Sequence, residues 1–258
     1  MTAIIGFAVE GHPFLFGDLL VSGRDVGDSI TLPTVERPND FRPNTNSSVA
    51  RGMLQKLYVI NPKLMVAFAG NVGTANGLIA KLKDRFGREA PTDRELDEFF
   101  AAIPKTAGAE VAILAALTVS EKTTYFLGYN AAAFEHPTHG TIRLAGTGTD
   151  ELHELFGKPM TMSASGESLN RLATGYGITL TAAGHFLAKE TLTGVTLLNG
   201  FGGAFEIATR VSHGFAKLED FVTVLWLARQ KDDGSVQIQL PERISATDTL
   251  GRHFMSGP

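Results

Sequence analysis

This sequence predicts an α+β fold in which antiparallel sheets pack against helices. Two observations support the prediction: strand-like and helical segments occur in separate blocks, and the apolar runs are joined by short turns that contain glycine or proline. Strands that alternated one by one with helices would instead predict a parallel sheet. The chain has 258 residues and no linker rich in proline and serine, so we expect 1–258 to form a single domain.

The first strands are predicted to form two hairpins. Each hairpin consists of two apolar, β-rich runs that are separated by a turn with a proline. The paired runs are residues 2–9 with 14–21, and residues 54–60 with 64–69.

The segment between these hairpins, residues 23–52, is polar and contains several prolines. It is predicted to be an inserted loop, and loops of this length are usually functional or disordered. We expect it to lie over the mouth of a site or between subunits.

Helices are predicted from apolar spacing and from capping residues. Apolar side chains recur at helical spacing from Val72 to Phe86. Thr92 and Glu95 have the spacing of a capping box, and the helix that they start is expected to end at Pro104. Further helices are predicted at 147–156, 166–176 and 179–198, and further strands at 109–119, 123–129, 141–146, 204–211, 220–230 and 235–240.

Composition excludes several classes of protein. The chain has no cysteine, which excludes disulfides, thiolate metal sites and cysteine nucleophiles. Its net charge of −4 argues against a nucleic-acid partner. No apolar run approaches the length of a membrane span, and the N-terminus lacks the basic start of a signal peptide. We therefore expect no membrane association and a cytoplasmic location.

A candidate active site is built around Thr2. Removal of Met1 would leave an α-amine beside the Thr2 hydroxyl, and an amine of pKa about 8 can act as base for that hydroxyl. Asp18 lies within an apolar strand and Lys56 opens another; a buried acid and a buried lysine need each other. Gly70 precedes a helix whose N-terminal N–H groups suit an oxyanion. A purely structural Asp18–Lys56 ion pair is the alternative.

At these residues the sequence resembles the β subunits of the proteasome and the related bacterial peptidase, which are threonine-type N-terminal nucleophile hydrolases. The matching elements are Thr2 with its spacing to Asp18, Lys56-Leu57-x-x-Ile60, Ala69-Gly70-x-x-Gly73-x-Ala75, Ala145-Gly146-Thr147-Gly148 and the final strand from Val236 to Pro241. The resemblance covers most of the chain outside the insertion at 23–52 and extra length near 157–178 and 204–220. It implies a four-layer αββα sandwich of two antiparallel sheets flanked by helices.

The resemblance also implies a role for each matched residue. Thr2 would be the nucleophile, Lys56 would stabilise the alkoxide, and Asp18 would orient Lys56. The N–H of Gly70 would stabilise the oxyanion. The pocket for the substrate residue before the scissile bond would be lined by Val21, Phe68 and Val72.

Several positions depart from the family pattern, and one is Leu19-Leu20, which replaces the basic residue usual after Asp18. Thr147 stands where serine is usual and keeps the hydroxyl, whereas Asn199 replaces an aspartate and loses its charge. Gly202 stands where a second serine is expected. Ser212 or Asp220 is considered as the source of the missing polar groups.

The function expected from this sequence is that of a threonine peptidase within a ring-like homo-oligomer, acting on a peptide or protein. An ATP-dependent unfoldase is a possible partner, and no cofactor or metal is expected. Two alternatives stay open: an inactive, structural proteasome-like subunit, and a small-molecule amidase on the same fold. The state of the mature N-terminus separates the first alternative from an active enzyme.

Overall fold

The computed structural model describes the chain in several stretches. These are residues 2–23, 30–32, 34–35, 49–104, 110–120, 123–158 and 171–218, together with the backbone of five short strands between 222 and 256. The described helices are α1 (Val72–Phe86), α2 (Asp93–Ala101), α3 (Thr149–Phe156), α4 (Arg171–Thr193) and α5 (Val195–Leu198). The strands are β1 (Ala3–Val9), β2 (His12–Asp18), β3 (Leu20–Gly23), β4 (Val49–Met53), β5 (Leu57–Asn61), β6 (Leu64–Gly70), β7 (Val111–Ser120), β8 (Thr123–Tyr129), β9 (Ala132–His136), β10 (Gly140–Gly146), β11 (Phe205–Val211), β12 (Gly214–Lys217), β13 (Val222–Val224), β14 (Leu227–Gln230), β15 (Val236–Gln239), β16 (Ile244–Thr247) and β17 (His253–Ser256).

A six-stranded sheet carries the N-terminus, with the strand order β12-β11-β2-β1-β10-β9. The predicted hairpin is present, because β1 pairs with β2 from Ile4 opposite Gly17 to Val9 opposite His12. The bounds of its second strand were wrong: Pro13 pairs with Ala8 inside β2 instead of lying in the turn, and β2 ends at Asp18 instead of residue 21. On its other side β1 pairs with β10, with Ala3 opposite Gly146. β2 also pairs with β11, with Asp18 opposite Phe205. The first two strands are therefore central, which explains why they are apolar on both faces.

A four-stranded sheet with the order β5-β6-β7-β8 contains the second predicted hairpin. Three smaller sheets complete the strand pairing: β3 with β4, β14 with β15, and β13-β16-β17. Every pairing among the described strands is antiparallel. The predicted α+β class is confirmed.

Several predicted bounds were wrong. The predicted loop at 23–52 ends in strand β4, which pairs with β3, so Val49 onward is not loop. β9 and β12 follow tight turns and were not predicted. The predicted helix at 166–176 is helical from Arg171, and residues 166–170 lie outside the described residues. It is continuous with the helix predicted from 179, because α4 runs unbroken from Arg171 to Thr193. Most of the remainder of 23–52 is also outside the described residues.

The helices confirm the capping arguments. α1 has the predicted bounds, and the side chain of Asn71 caps it by accepting from the N–H of Thr74 at 3.0 Å. α2 begins with the predicted capping box, in which Thr92 and Glu95 bond each other's backbone N–H groups. Local sequence therefore determines where both helices begin.

The buried apolar residues form three main clusters. One joins the six-stranded sheet to α3 and α4 and includes Phe7, Phe16 and Phe186. A second joins the four-stranded sheet to α1 and α2. A third contains residues of both sheets, with Ile4 of β1 and Ala67 of β6 among its members. The two large sheets therefore share apolar contacts near the start of β1.

The packing of α4 on the six-stranded sheet makes a testable prediction. A Cβ atom added at Gly175 would overlap the ring of Phe14, whereas one added at Gly184 of the same helix has no neighbour within 4 Å. We expect Gly175→Ala to lower the free energy of unfolding by about 1–3 kcal/mol. Gly184→Ala is the matched control and should raise it by about 0.5–1 kcal/mol, because alanine favours helix. Urea unfolding of both variants measures the difference, and equal effects would contradict this packing.

None of the helices in the described part of the chain combines the length and the apolar character that crossing a membrane requires.

Candidate active site

Thr2 lies at the start of β1 and is enclosed by the turn that follows β10. The side chain and backbone of Thr2 are buried, with 1% of the residue exposed. The N–H of Thr2 donates to the hydroxyl of Thr147 at 3.2 Å, and its carbonyl accepts from the N–H of Gly148 at 3.1 Å. Gly146 has φ of +101°, and a Cβ there would overlap the Thr2 carbonyl. The glycine and hydroxyl pattern at 146–148 therefore allows this turn to close around Thr2.

Asp18 and Lys56 form the buried ion pair that their sequence positions predicted. The Lys56 Nζ atom lies 2.9 Å from Oδ1 of Asp18 and donates to the Leu20 carbonyl at 2.7 Å. Both side chains are at most 2% exposed. The other carboxylate oxygen, Oδ2, accepts from the N–H groups of Leu20 and Gly202, each at 3.1 Å. These donors stabilise a buried carboxylate without help from water.

The ion pair lies directly beside Thr2. Oδ1 of Asp18, which binds Lys56, also accepts the N–H of Ala3 at 2.8 Å. One oxygen thus joins the Lys56 ammonium to the residue that follows Thr2. Burial lowers the pKa of Lys56, and the adjacent Asp18 carboxylate limits that fall by favouring the charged form.

Gly70 ends β6 at the same end of the strand pair as Lys56. The N–H of Phe68 bonds the Lys56 carbonyl at 3.1 Å, and Gly70 follows two residues later. Gly70 is exposed, with φ of +107°, and α1 begins two residues further on. The exposed turn and the helix N-terminus make this a suitable place for an oxyanion to meet backbone N–H groups.

Two of the three predicted pocket residues contact the same apolar cluster, and the third lies in another sheet. Phe68 is buried in the cluster between the four-stranded sheet and its helices, and its ring lies 6.1 Å from that of Tyr58. Val72 is partly buried against the same cluster, and Val21 is partly buried in β3. Their role in lining a substrate pocket stays a prediction.

Three residues were candidates for the polar groups that the family pattern expects near the site: Asn199, Ser212 and Asp220. The side-chain amide of Asn199 donates to the carboxylate of Glu151, in the first turn of α3. Ser212 lies in the turn beyond Val211, at the opposite end of β11 from Phe205, which pairs with Asp18. The suggestion that Ser212 supports the site is therefore wrong. Asp220 lies outside the described residues.

Glu190 of α4 is a buried carboxylate that the sequence analysis missed. It accepts the hydroxyl of Thr196 at 3.0 Å and the N–H of Gly203 at 3.0 Å, and it also binds the hydroxyl of Thr34. A Cβ atom at Gly202 would overlap Oε2 of Glu190, so a serine does not fit beside this carboxylate. The available signal was a charge at the helical spacing of the buried Phe186 and Leu187.

Glu206 is the second missed carboxylate, and it positions Lys56 from the backbone side. It accepts from the N–H groups of Lys56 and Leu57 and pairs with the ammonium of Lys217. A glutamate flanked by Phe205 and Ile207 in an apolar strand was the signal that could have identified it. Burial raises the pKa of Glu206, as it does for Glu190.

The raised pKa of Glu190 predicts a pH dependence of stability. A carboxyl whose pKa is higher in the folded than in the unfolded chain binds its proton more tightly when folded. Stability contributed by this group falls as the pH rises from about 4.5 toward the folded pKa. Glu190→Gln should therefore flatten the decline of the unfolding free energy over this range, measured by urea unfolding. The exposed Glu98→Gln variant is the control; if both variants keep the wild-type slope, burial does not shift Glu190.

Comparison with known proteins gives no family for this chain. No protein-family model matches the sequence, and no curated protein is significantly similar to it. A functional assignment therefore depends on the arrangement of Thr2, Asp18 and Lys56.

Proposed function

We propose that this chain is a threonine-type hydrolase of peptide amide bonds that becomes active when Met1 is removed. The observation that supports the proposal is the single Asp18 oxygen shared by the Lys56 ammonium and the N–H of Ala3. It links a buried cation to the backbone of the residue that follows the candidate nucleophile. Thr2 then supplies both the hydroxyl and the free amine that this chemistry needs.

In the proposed acylation, Oγ1 of Thr2 forms a bond to the carbonyl carbon of the substrate amide. The hydroxyl proton passes to the α-amine of Thr2, and the carbonyl π electrons move onto oxygen. When the tetrahedral intermediate collapses, its C–N bond breaks and the amine returns the proton to the leaving nitrogen. The products are a free amine and an ester on Thr2. Water then attacks this ester, with the same amine as base, to release the acid and restore Thr2.

The neighbouring groups have separate tasks in this proposal. Lys56 stabilises the developing alkoxide, and Asp18 keeps the lysine charged and oriented. The N–H of Gly70 donates to the oxyanion. The hydroxyl of Thr147, which bonds the Thr2 nitrogen at 3.2 Å, orients that nitrogen once it becomes an amine.

The proposal includes the four-layer αββα arrangement that the resemblance implies. Each large sheet packs against its own pair of helices, α3 and α4 or α1 and α2. The apolar cluster that contains residues of both sheets supports a face-to-face stack of the sheets. Such a stack would bring the start of β1 close to the end of β6.

We also propose that the chain assembles into a homo-oligomer, with a ring as the expected form. Large apolar side chains on the C-terminal helices support this, because Leu192 is 64% exposed and Leu180 and Leu198 are more than a third exposed. Analytical ultracentrifugation at micromolar concentration should give a mass several times that of one chain. The mass of a single chain would contradict assembly and favour the small-molecule amidase.

The proposed function is tested by the mass of the mature protein and by a covalent probe. Intact-mass measurement should show loss of Met1. A peptide β-lactone should then acylate Thr2 by ring opening, and tandem mass spectrometry should find the adduct on Thr2. Retention of Met1 would overturn the peptidase proposal in favour of an inactive subunit. An adduct on another residue, or no adduct at all, would also overturn it.

A further inference from the structure

A cleft lined by basic side chains lies at the opposite end of β2 and β11 from Asp18. Its volume is about 500 Å³, and its lining includes Lys63, Arg171, Arg210, Ser212 and His213. A second space of about 360 Å³ shares Arg171, Arg210 and Ser212 with it and adds His12. We call these two spaces together the basic cleft.

The basic cleft is separate from the candidate active site. β2 runs from His12, at the cleft, to Asp18, at the ion pair. Six steps along an extended strand span about 20 Å. A small ligand in the basic cleft therefore does not contact Thr2 or Lys56.

The described lining of the basic cleft has three cationic side chains, Lys63, Arg171 and Arg210, and no carboxylate. The chain as a whole has a net charge of −4, so this concentration of positive charge is local. Such a cleft attracts anions and raises their local concentration.

The two arginines of the basic cleft belong to different elements of the fold. Arg171 comes from the first turn of α4 and Arg210 from β11, so the two guanidinium groups approach the basic cleft from different elements. Arg210 donates from Nη1 to the Ser120 carbonyl at 2.9 Å, which restrains the orientation of its guanidinium plane. A guanidinium group binds phosphate oxygens through paired N–H donors, and the hydroxyl of Ser212 adds a further donor.

His12 provides an independent indication of a ligand. Only 7% of the residue is exposed, and its Nε2 atom is buried with no hydrogen-bond partner among the described residues. Burial and the charges of Arg210 and Arg171 lower the pKa of His12. The ring donates to the backbone carbonyl of Arg210, so Nε2 of the neutral ring is an acceptor. A buried polar atom without a partner is costly, and the hydroxyl of a hydrogen-phosphate group would donate to Nε2.

We propose that the basic cleft binds a phosphate group, either as free phosphate or as part of a small organic phosphate. Its volume lies within the range of pockets that hold small organic ligands. Two arginines and a hydroxyl supply donors on several sides of the phosphate, and Nε2 of His12 accepts from its hydroxyl. This binding is independent of the proposed hydrolase activity.

Isothermal titration calorimetry with inorganic phosphate, adenosine monophosphate and adenosine tests the proposal at constant ionic strength. We expect saturable binding of phosphate and of the nucleotide but not of adenosine. Arg210→Gln and Arg171→Gln should each weaken binding at least about tenfold, which is the loss of a charge-assisted hydrogen bond. Arg171 begins a helix and is exposed, so its variant should fold even if the Arg210 variant does not.

Arg143→Gln is the matched control. Arg143 is also partly buried in a strand and donates to a backbone carbonyl, that of Phe126 at 2.6 Å, but it lines a different cleft. Its variant should bind phosphate as the wild type does. Tighter binding of the nucleotide than of phosphate would indicate an organic phosphate as the ligand, and equal binding would indicate free phosphate. Absence of saturable binding, or an equal loss in the Arg143 variant, would overturn the proposal.

Discussion

Replacement of Thr2 by alanine is expected to reduce hydrolysis of a small peptide amide by about 10⁴-fold or more. The substitution removes the hydroxyl that attacks the substrate and leaves the amine base without a proton to accept. The measurement is kcat/KM on a fluorogenic peptide, with circular dichroism and urea unfolding to show that the buried position tolerates alanine. The effect is large because the variant keeps the amine base but has lost the nucleophile.

Two further variants test whether the loss of hydrolysis is due to the Thr2 hydroxyl. Thr2→Ser retains a hydroxyl and an amine, so it should keep a substantial part of the activity. Thr141→Ala removes an exposed hydroxyl that binds Glu135 on the neighbouring strand, and it should leave hydrolysis unchanged. If Thr2→Ala retains wild-type activity, another residue is the nucleophile.

Replacement of Lys56 by methionine is expected to impair both stability and catalysis. The change leaves the Asp18 carboxylate buried without its cation, which costs about 3–5 kcal/mol of unfolding free energy. Activity per folded molecule should fall by about 10²–10³-fold, because the alkoxide and the oxyanion lose a nearby positive charge. Urea unfolding and kcat/KM are measured on the same preparation. The folded fraction is then known, and the rate can be expressed per folded molecule.

The double variant Lys56→Met with Asp18→Asn separates catalysis from structure. Removing both charges should recover part of the stability, because no unpaired charge is then buried. The recovery is partial because the single oxygen of the amide can replace Oδ1, which accepts from Ala3, or Oδ2, which accepts from Leu20, but not both. Its activity should stay as low as that of Lys56→Met alone. Recovery of activity together with stability would mean that the ion pair is purely structural. Lys217→Ala is the control for stability, since Lys217 also pairs with a buried carboxylate but is a quarter exposed and should cost less.

The parts of the fold that were predicted correctly are those that local sequence determines. The capping residues Asn71 and Thr92 make bonds within a few residues of themselves, so a single segment contains the whole interaction. The same holds for the β1–β2 hairpin, whose apolar runs are joined by a two-residue turn. The short strands β3 and β4 were missed because their hydrogen bonds join positions about thirty residues apart, across a polar segment that resembles a loop.

The candidate site shows the same division. The pairing of Asp18 with Lys56 was predictable, because each is a charge in an apolar strand and a buried charge needs a partner. Glu190 has the same property, yet its partners come from Thr34, Thr196 and Gly203, which only the folded chain brings together. Likewise, Ser212 lies far from the ion pair because β11 pairs with β2 in a register that places Phe205 opposite Asp18. The residues around Ser212 do not reveal this register.

The sequence by itself determined the α+β class, the two hairpins, the starts of α1 and α2 and the pairing of two buried charges. These follow from periodicity, capping and the cost of burying an isolated charge, which are properties of short segments or of single residues. Only the tertiary structure decided that one oxygen of Asp18 joins Lys56 to the residue after Thr2, and that Glu190 takes the space beside Gly202. The physical reason is that these contacts depend on strand register and helix packing, where a shift of one residue would exchange a buried neighbour for a different one.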